Sequence, residues 1–220
     1  MTKMHKNILL LAMCAAMPSV AAAMTPSLPS NVYVQGDVGY SHLTAKEDAQ
    51  DLKGDEVFGR VAVGRTHGQA RYAVDYTHFG TAERHEHGTR TLAAGEVPLV
   101  AAGTYPVVHS TELDAQSVGV SGYYDFKGVG KLTPYVGARV GVSRLSRETT
   151  EELQHGFFDH DLSEHTQNKT TFGVGAGAGV SYQVLPALPV DAGAEYNYLG
   201  KLENATVSQY GAKVGVRYQF

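Results

Sequence analysis

The sequence predicts an all-β fold, an eight-stranded antiparallel transmembrane β-barrel of up-and-down connectivity, with long extracellular loops and short periplasmic turns. Three observations carry this expectation. The first is the closing stretch, where Tyr210, Ala212, Val214, Val216, Tyr218 and Phe220 form one row and Gly211, Lys213, Gly215, Arg217 and Gln219 the other, the period-two signature of a strand. Two cations on the polar row exclude a dry core on that side, and a barrel in lipid accommodates both rows by turning the apolar one outward. The second is that seven earlier segments repeat the pattern. The third is that no apolar run after residue 23 approaches the ~18–20 residues of a membrane-spanning helix, so a closed barrel with every backbone group paired between strands is the remaining route across a bilayer.

Residues 1–23 read as a secretory signal peptide. Lys3 and Lys6 supply its basic start, Ile8 to Val20 its apolar stretch, and Ala21, Ala22 and Ala23 the small residues of a cleavage site. The barrel domain is then expected over residues 24–220. The single cysteine, Cys14, lies inside the leader and follows Met13 where a lipoprotein signal requires a small residue, so neither a disulfide nor a lipid anchor is expected. Removing Lys3 and Lys6 from the 18 basic residues leaves 16 against 22 acidic ones, a net charge of −6, which argues against nucleic acid as a partner.

In chain order, the first strand is expected over Val32 to Ser41, with Tyr33, Gln35, Asp37 and Gly39 facing inward. A polar loop, His42 to Glu56, precedes the second strand, Val57 to Arg65, which turns Phe58, Arg60, Ala62 and Gly64 inward. The third, Arg71 to Phe79, places Tyr72, Val74 and Tyr76 outside and Arg71, Ala73, Asp75 and Thr77 inside. After a long loop, Gly80 to Glu112, the fourth strand (Leu113 to Phe126) turns Tyr123 and Asp125 inward. The fifth (Pro134 to Leu145) turns Tyr135 and Arg139 inward. Ser146 to Lys169 is expected as the third long loop. The sixth strand, Thr170 to Val184, alternates valine and alanine with Gly173, Gly175, Gly177 and Gly179, a spacing that makes room for Tyr135 and Arg139 of the neighbouring strand. The seventh, Pro189 to Leu199, turns Asp191, Glu195 and Asn197 inward, and Gly200 to Thr206 leads into the last. Long and short connections alternate, so the short turns and both termini share the periplasmic side.

The inward rows collect Arg60, Arg71, Asp75, Arg139, Asp191, Glu195, Lys213 and Arg217. Each lone charge facing hydrocarbon would cost ~2–4 kcal/mol at the midplane. Inside an eight-stranded barrel, whose interior side chains fill, mixed signs predict a cross-lumen network of ion pairs and a plugged interior instead of a pore.

Chemistry in the predicted loops is sparser. His85 and His87 bracket Glu86, and His155, His160 and His165 accompany Asp159 and Asp161, ligand types suited to zinc; the plain alternative, a solvated loop tip, is preferred and no cofactor or metal is expected. His109–Ser110 and Asp159–His160 are the only neighbours suggestive of hydrolysis, and without a third orienting group they do not make an enzyme. Apolar residues stand out more. Leu99, Val100, Tyr105 and Val107 in the second loop, and Phe157 and Phe158 in the third, are candidate partner-binding anchors rimmed by charge.

Several segments also resemble the opacity-type porin family: Asn31 to Asp37, Arg71 to Thr77, Tyr124 to Phe126, Pro134 to Arg139, Gly179 to Tyr182, Val190 to Gly193, Tyr196 to Lys201 and Gly215 to Phe220. The resemblance covers nearly all the strands and fades in the loops. It implies an eight-stranded barrel in the bacterial outer membrane, in contact with its lipid, that acts as an adhesin and binds a host cell-surface receptor or a complement regulator through outer loops. A structural barrel or small porin without a dedicated protein ligand is the alternative. The ending, with Lys213, Gly215, Tyr218 and Phe220, resembles the C-terminal signal by which such barrels are handed to the barrel assembly machinery.

Overall fold

The computed structural model describes residues 31–46, 51–93, 103–155, 158–202 and 205–220. Its strands are β1 (Val32–Lys46), β2 (Asp51–His67), β3 (Ala70–Leu92), β4 (Gly103–Asp125), β5 (Leu132–His155), β6 (Phe158–Leu185), β7 (Leu188–Leu202) and β8 (Ala205–Gln219). Each pairs antiparallel with the next, and β1 closes the barrel on β8 along a ladder from Tyr33–Gln219 to Lys46–Thr206. Short turns at 67–70, 125–132 and 185–188 share one end with the C-terminus, whose Phe220 N–H donates to the Val32 carbonyl at 3.0 Å. The proposed leader lies outside the described residues.

The membrane segment follows the predicted parity. Val38, Val74, Val118, Val140, Val174 and Val214 are exposed on the outer surface, while Asp37, Asp75, Ser117, Arg139 and Lys213 of the same strands are buried inside. Exposed aromatics bound the outward band, with Tyr40, Tyr76, Phe172, Tyr196 and Tyr210 toward one end and Tyr72, Tyr124, Phe126, Tyr182 and Tyr218 toward the other. Phe172 and Tyr182 stand ten residues apart on β6, about 25 Å of height at ~3.3 Å per residue and the usual tilt, as expected for a hydrocarbon span.

The three long loops expected at 42–56, 80–112 and 146–169 are instead largely strand. The β3–β4 ladder continues to Leu92–Gly103, the β5–β6 ladder to His155–Phe158, and β1 pairs β2 as far as Lys46–Asp51. The sense of the alternation inverts there. On β1, outward Val38 and Tyr40 give way to partly exposed His42, while inward Asp37 and Ser41 give way to Leu43 and Ala45. Above the lipid a strand faces water outside and packs inside, so a search for apolar residues on the outer row stops at the membrane edge.

Two irregularities mark this edge. The β3–β4 register shifts between His78 and Thr81, and the β7–β8 register between Tyr198 and Gly200. Gly80 (φ 94°) and Gly200 (φ 108°) supply the left-handed backbone that these bulges require. At the same height the β2–β3 ladder ends at Gly59–His78 and the β6–β7 ladder at Val174–Tyr198. Beyond the seams the wall continues as two four-stranded sheets, a tall one of β3 to β6 and a short one of β7, β8, β1 and β2.

Candidate functional site

The lumen is layered. Nearest the short turns, Arg71 donates in bidentate fashion to Asp125 (2.7 Å on each carboxylate oxygen), and Asp191 lies 3.6 Å from both Arg71 and Arg217. The Arg71 guanidinium also sits between the rings of Tyr123 and Tyr135, 4.9 and 5.2 Å from their centroids. In the next layer Arg60 donates to both oxygens of Glu195 (2.8 and 2.7 Å). Arg139 donates to Asp75 (2.9 and 2.7 Å), and Lys213 to Asp37 at 3.0 Å with Glu195 at 3.8 Å. Both layers are neutral, two cations with two carboxylates and then three with three.

All eight charged residues singled out from the sequence are thus brought together. Two further members, Asp37 and Asp125, stand on the predicted inward rows; their partners sit diagonally across the strand ladder, and only the register shows them. Glycines open the space as expected for Tyr135, since a Cβ at Gly179 would lie 2.6 Å from its hydroxyl oxygen. The expected room for Arg139 comes from elsewhere: Gly119 makes it, and Gly175 accommodates Asn197.

Above the ions comes a layer of uncharged polar groups, in which Asn197 donates to Gln209 at 2.8 Å. An apolar collar then closes the lumen. Leu43, Ala45, Phe79, Ala82, Leu113, Ala115, Leu145, Leu199, Ala205 and Val207 form one buried cluster drawn from six strands, with Phe58 stacked on Phe79 at 6.5 Å. This collar fills the space between the two sheets where they part. Sequence parity carried the signal for all of these but Ala82, because each continues an inward row whose lower members are polar, whereas Ala82 is brought inward by the bulge between His78 and Thr81.

The proposed partner-binding anchors fare less uniformly. Leu99, Val100 and Phe157 lie outside the described residues, as does the Phe158 side chain. Tyr105 is half-buried near the top of β4. Val107 is only 1% exposed, which corrects its reading as an anchor: it lies on the inward row of β4 with Leu113 and Ala115, and packing claims it. His85 accepts or donates a 2.8 Å hydrogen bond with Ser110 across the β3–β4 ladder and stands 3.8 Å from Glu83. His109, the strand neighbour of Ser110, faces the opposite side of the sheet, so the two do not form a dyad. Among the described residues no group of three His, Cys, Asp or Glu side chains is arranged to hold a metal ion. At the chain's end, Tyr218 and Phe220 pack edge to face at 5.0 Å, while Lys213 is bound within the ion network.

The model of the Opacity family porin protein matches residues 63–220, from within β2 to the last residue. The chain belongs to the Opacity family. Opacity protein opA52 of Neisseria gonorrhoeae is 28% identical over a match covering 86% of this chain and 96% of its own length. Opacity protein opA51 from the same organism gives the same identity and coverage. Among solved structures, neisserial surface protein A superposes with a TM-score of 0.55 at 28% identity, covering 86% of this chain and 97% of that one. This Opacity-family chain is accordingly an outer-membrane β-barrel, with its short turns in the periplasm and its tall sheet outside the cell. These relatives are porin-type surface proteins, not enzymes.

Proposed function

We propose that this Opacity-family barrel is a surface recognition protein that engages a host protein through the upper parts of the β3–β4 and β5–β6 hairpins. The observation that carries the reading is the continuation of β6 for fourteen residues beyond Phe172, about 45 Å of strand, above a lumen already closed by the collar. A barrel that served only as a membrane anchor or a passage needs neither the height nor the paired ladders. The partner class, a host cell-surface receptor or a complement regulator, comes from the resemblance to the family. Chemistry at the hairpins is recognition, the described residues there bringing no catalytic constellation together, and the C-terminal strand serves as the signal read by the assembly machinery.

Shortening the hairpins at matched rungs tests this without touching the collar. One variant closes β3–β4 above Glu83–Glu112 and the other closes β5–β6 above Glu148–Thr166. Saturable binding of receptor ectodomains or serum complement regulators to the refolded barrel is expected, and its loss in at least one shortened variant. A folded full-length barrel that binds none of these proteins would remove the reading.

The small-porin alternative makes an opposite electrical prediction. Three leucines at the collar, Leu43, Leu113 and Leu145, are at most 1% exposed, and an apolar constriction of this kind excludes ions by excluding water. Native barrel in planar bilayers is expected to be silent, and the triple L43S/L113S/L145S variant to show openings. Steady conductance by the native protein would show that the collar does not seal it.

A further inference from the structure

Two of the periplasmic turns are tight, closing at His67–Ala70 and Leu185–Leu188. The third is longer and built differently. Between β4 and β5 the chain runs Phe126-Lys-Gly-Val-Gly-Lys131, folded by reciprocal backbone hydrogen bonds in which the Val129 N–H donates to the Leu132 carbonyl (2.9 Å) and the Leu132 N–H to that of Val129 (3.2 Å). Its tip presents Val129 at 83% exposure, the highest of any large hydrophobic residue described, with Lys127 and Lys131 exposed on either side.

The surroundings of this turn point to lipid. It leaves the membrane through Tyr124 and Phe126, packed edge to face at 5.2 Å and both exposed on the outer surface of the barrel, and returns through exposed Leu132. The exposed ionisable side chains described at this end are Arg65, His67, Lys127 and Lys131, while the nearby Asp125 is neutralised by Arg71. An apolar side chain flanked by two ammonium groups at the foot of a lipid-facing aromatic girdle matches the boundary between acyl chains and phosphates, where the lysine stems extend along apolar surface and the charges reach the headgroups.

We propose that the 127–131 turn is a lipid anchor, with Val129 inserted into the inner leaflet of the outer membrane and Lys127 and Lys131 bound to phospholipid phosphates. The chain contains no tryptophan, so V129W introduces a single fluorescent reporter at a tip with open space around it. Reconstituted in vesicles with iodide on both faces, V129W is expected to emit at shorter wavelength than in urea, to be quenched by lipids with brominated acyl chains, and to resist iodide. Because tryptophan itself favours membrane interfaces, a second readout leaves Val129 in place. Adding phosphatidylglycerol to phosphatidylcholine vesicles should raise the urea midpoint of the native barrel, and K127E/K131E should abolish that rise while its fold, read by gel shift, is retained. Full iodide access together with no effect of brominated lipid would overturn the anchor and leave the tip facing the periplasm. Equal gains from phosphatidylglycerol in native and K127E/K131E barrels would exclude phosphate binding by the two lysines.

Discussion

Replacing Glu195 with alanine is expected to cost the barrel about 3–5 kcal/mol, the penalty for leaving a buried charge without its partner. Glu195 accepts two hydrogen bonds from Arg60 and one from Asn197, and lies within 3.8 Å of Lys213; both members of the Arg60–Glu195 pair are almost fully shielded from solvent. In the variant, Arg60 keeps only the Thr77 hydroxyl and a distant Asp75 carboxylate, 2.8 and 3.9 Å away. The midpoint of urea unfolding in vesicles measures the loss. A companion variant, R60M/E195L, removes both charges in favour of apolar side chains of similar size, and such exchanges are often neutral or stabilising. It should recover most of the stability. If the double variant were as weak as E195A, the pair would be contributing through shape rather than through compensation of charge.

The second large effect concerns the lipid face. Val214 lies between Tyr210 and Tyr218 on the outer row of β8, beside Val38 of β1 and Ala192 of β7. Arginine there meets the hydrocarbon midplane at ~2–4 kcal/mol, whereas Gln219 shares the inward row of Lys213 and Arg217 and an arginine there does not face lipid. V214R should therefore lower the folded fraction in a heat-shift gel far more than Q219R. Equal losses would contradict the assignment of Val214 to lipid.

The membrane half of this fold was legible because hydrocarbon imposes a single rule on every strand, apolar outward and small or polar inward, and β8 obeys it to the last residue. The charge network was legible as membership, since parity alone places Arg60, Asp75, Arg139 and Lys213 inside. Pairing was not, because Asp37 meets Lys213 and Asp125 meets Arg71 only through the relative stagger of strands, which a single sequence does not encode locally. The projecting ladders were missed for a different reason. Above Tyr40 or Val142 the solvent outside the wall changes from lipid to water, and segments such as Thr81 to Leu92 carry charges on both rows, so they lack the contrast by which a strand is recognised. Apolarity within a polar stretch is a weak sign of a partner-binding anchor, as buried Val107 shows: such a residue is as apt to be the inward member of a strand.

The continuation of β3 to β6 from the periplasmic turns past the membrane edge to the rungs Leu92–Gly103 and His155–Phe158 has a mechanical consequence. A load applied at a tip acts along the strands, parallel to ladders whose hydrogen bonds lie across it, so strands can slide past their neighbours only by breaking many rungs together. Tension on the outermost residues is shared down the wall, past the seams and into the membrane, instead of opening one rung after another as it would in a peeled edge. A cell tethered by such a hairpin would be held in shear.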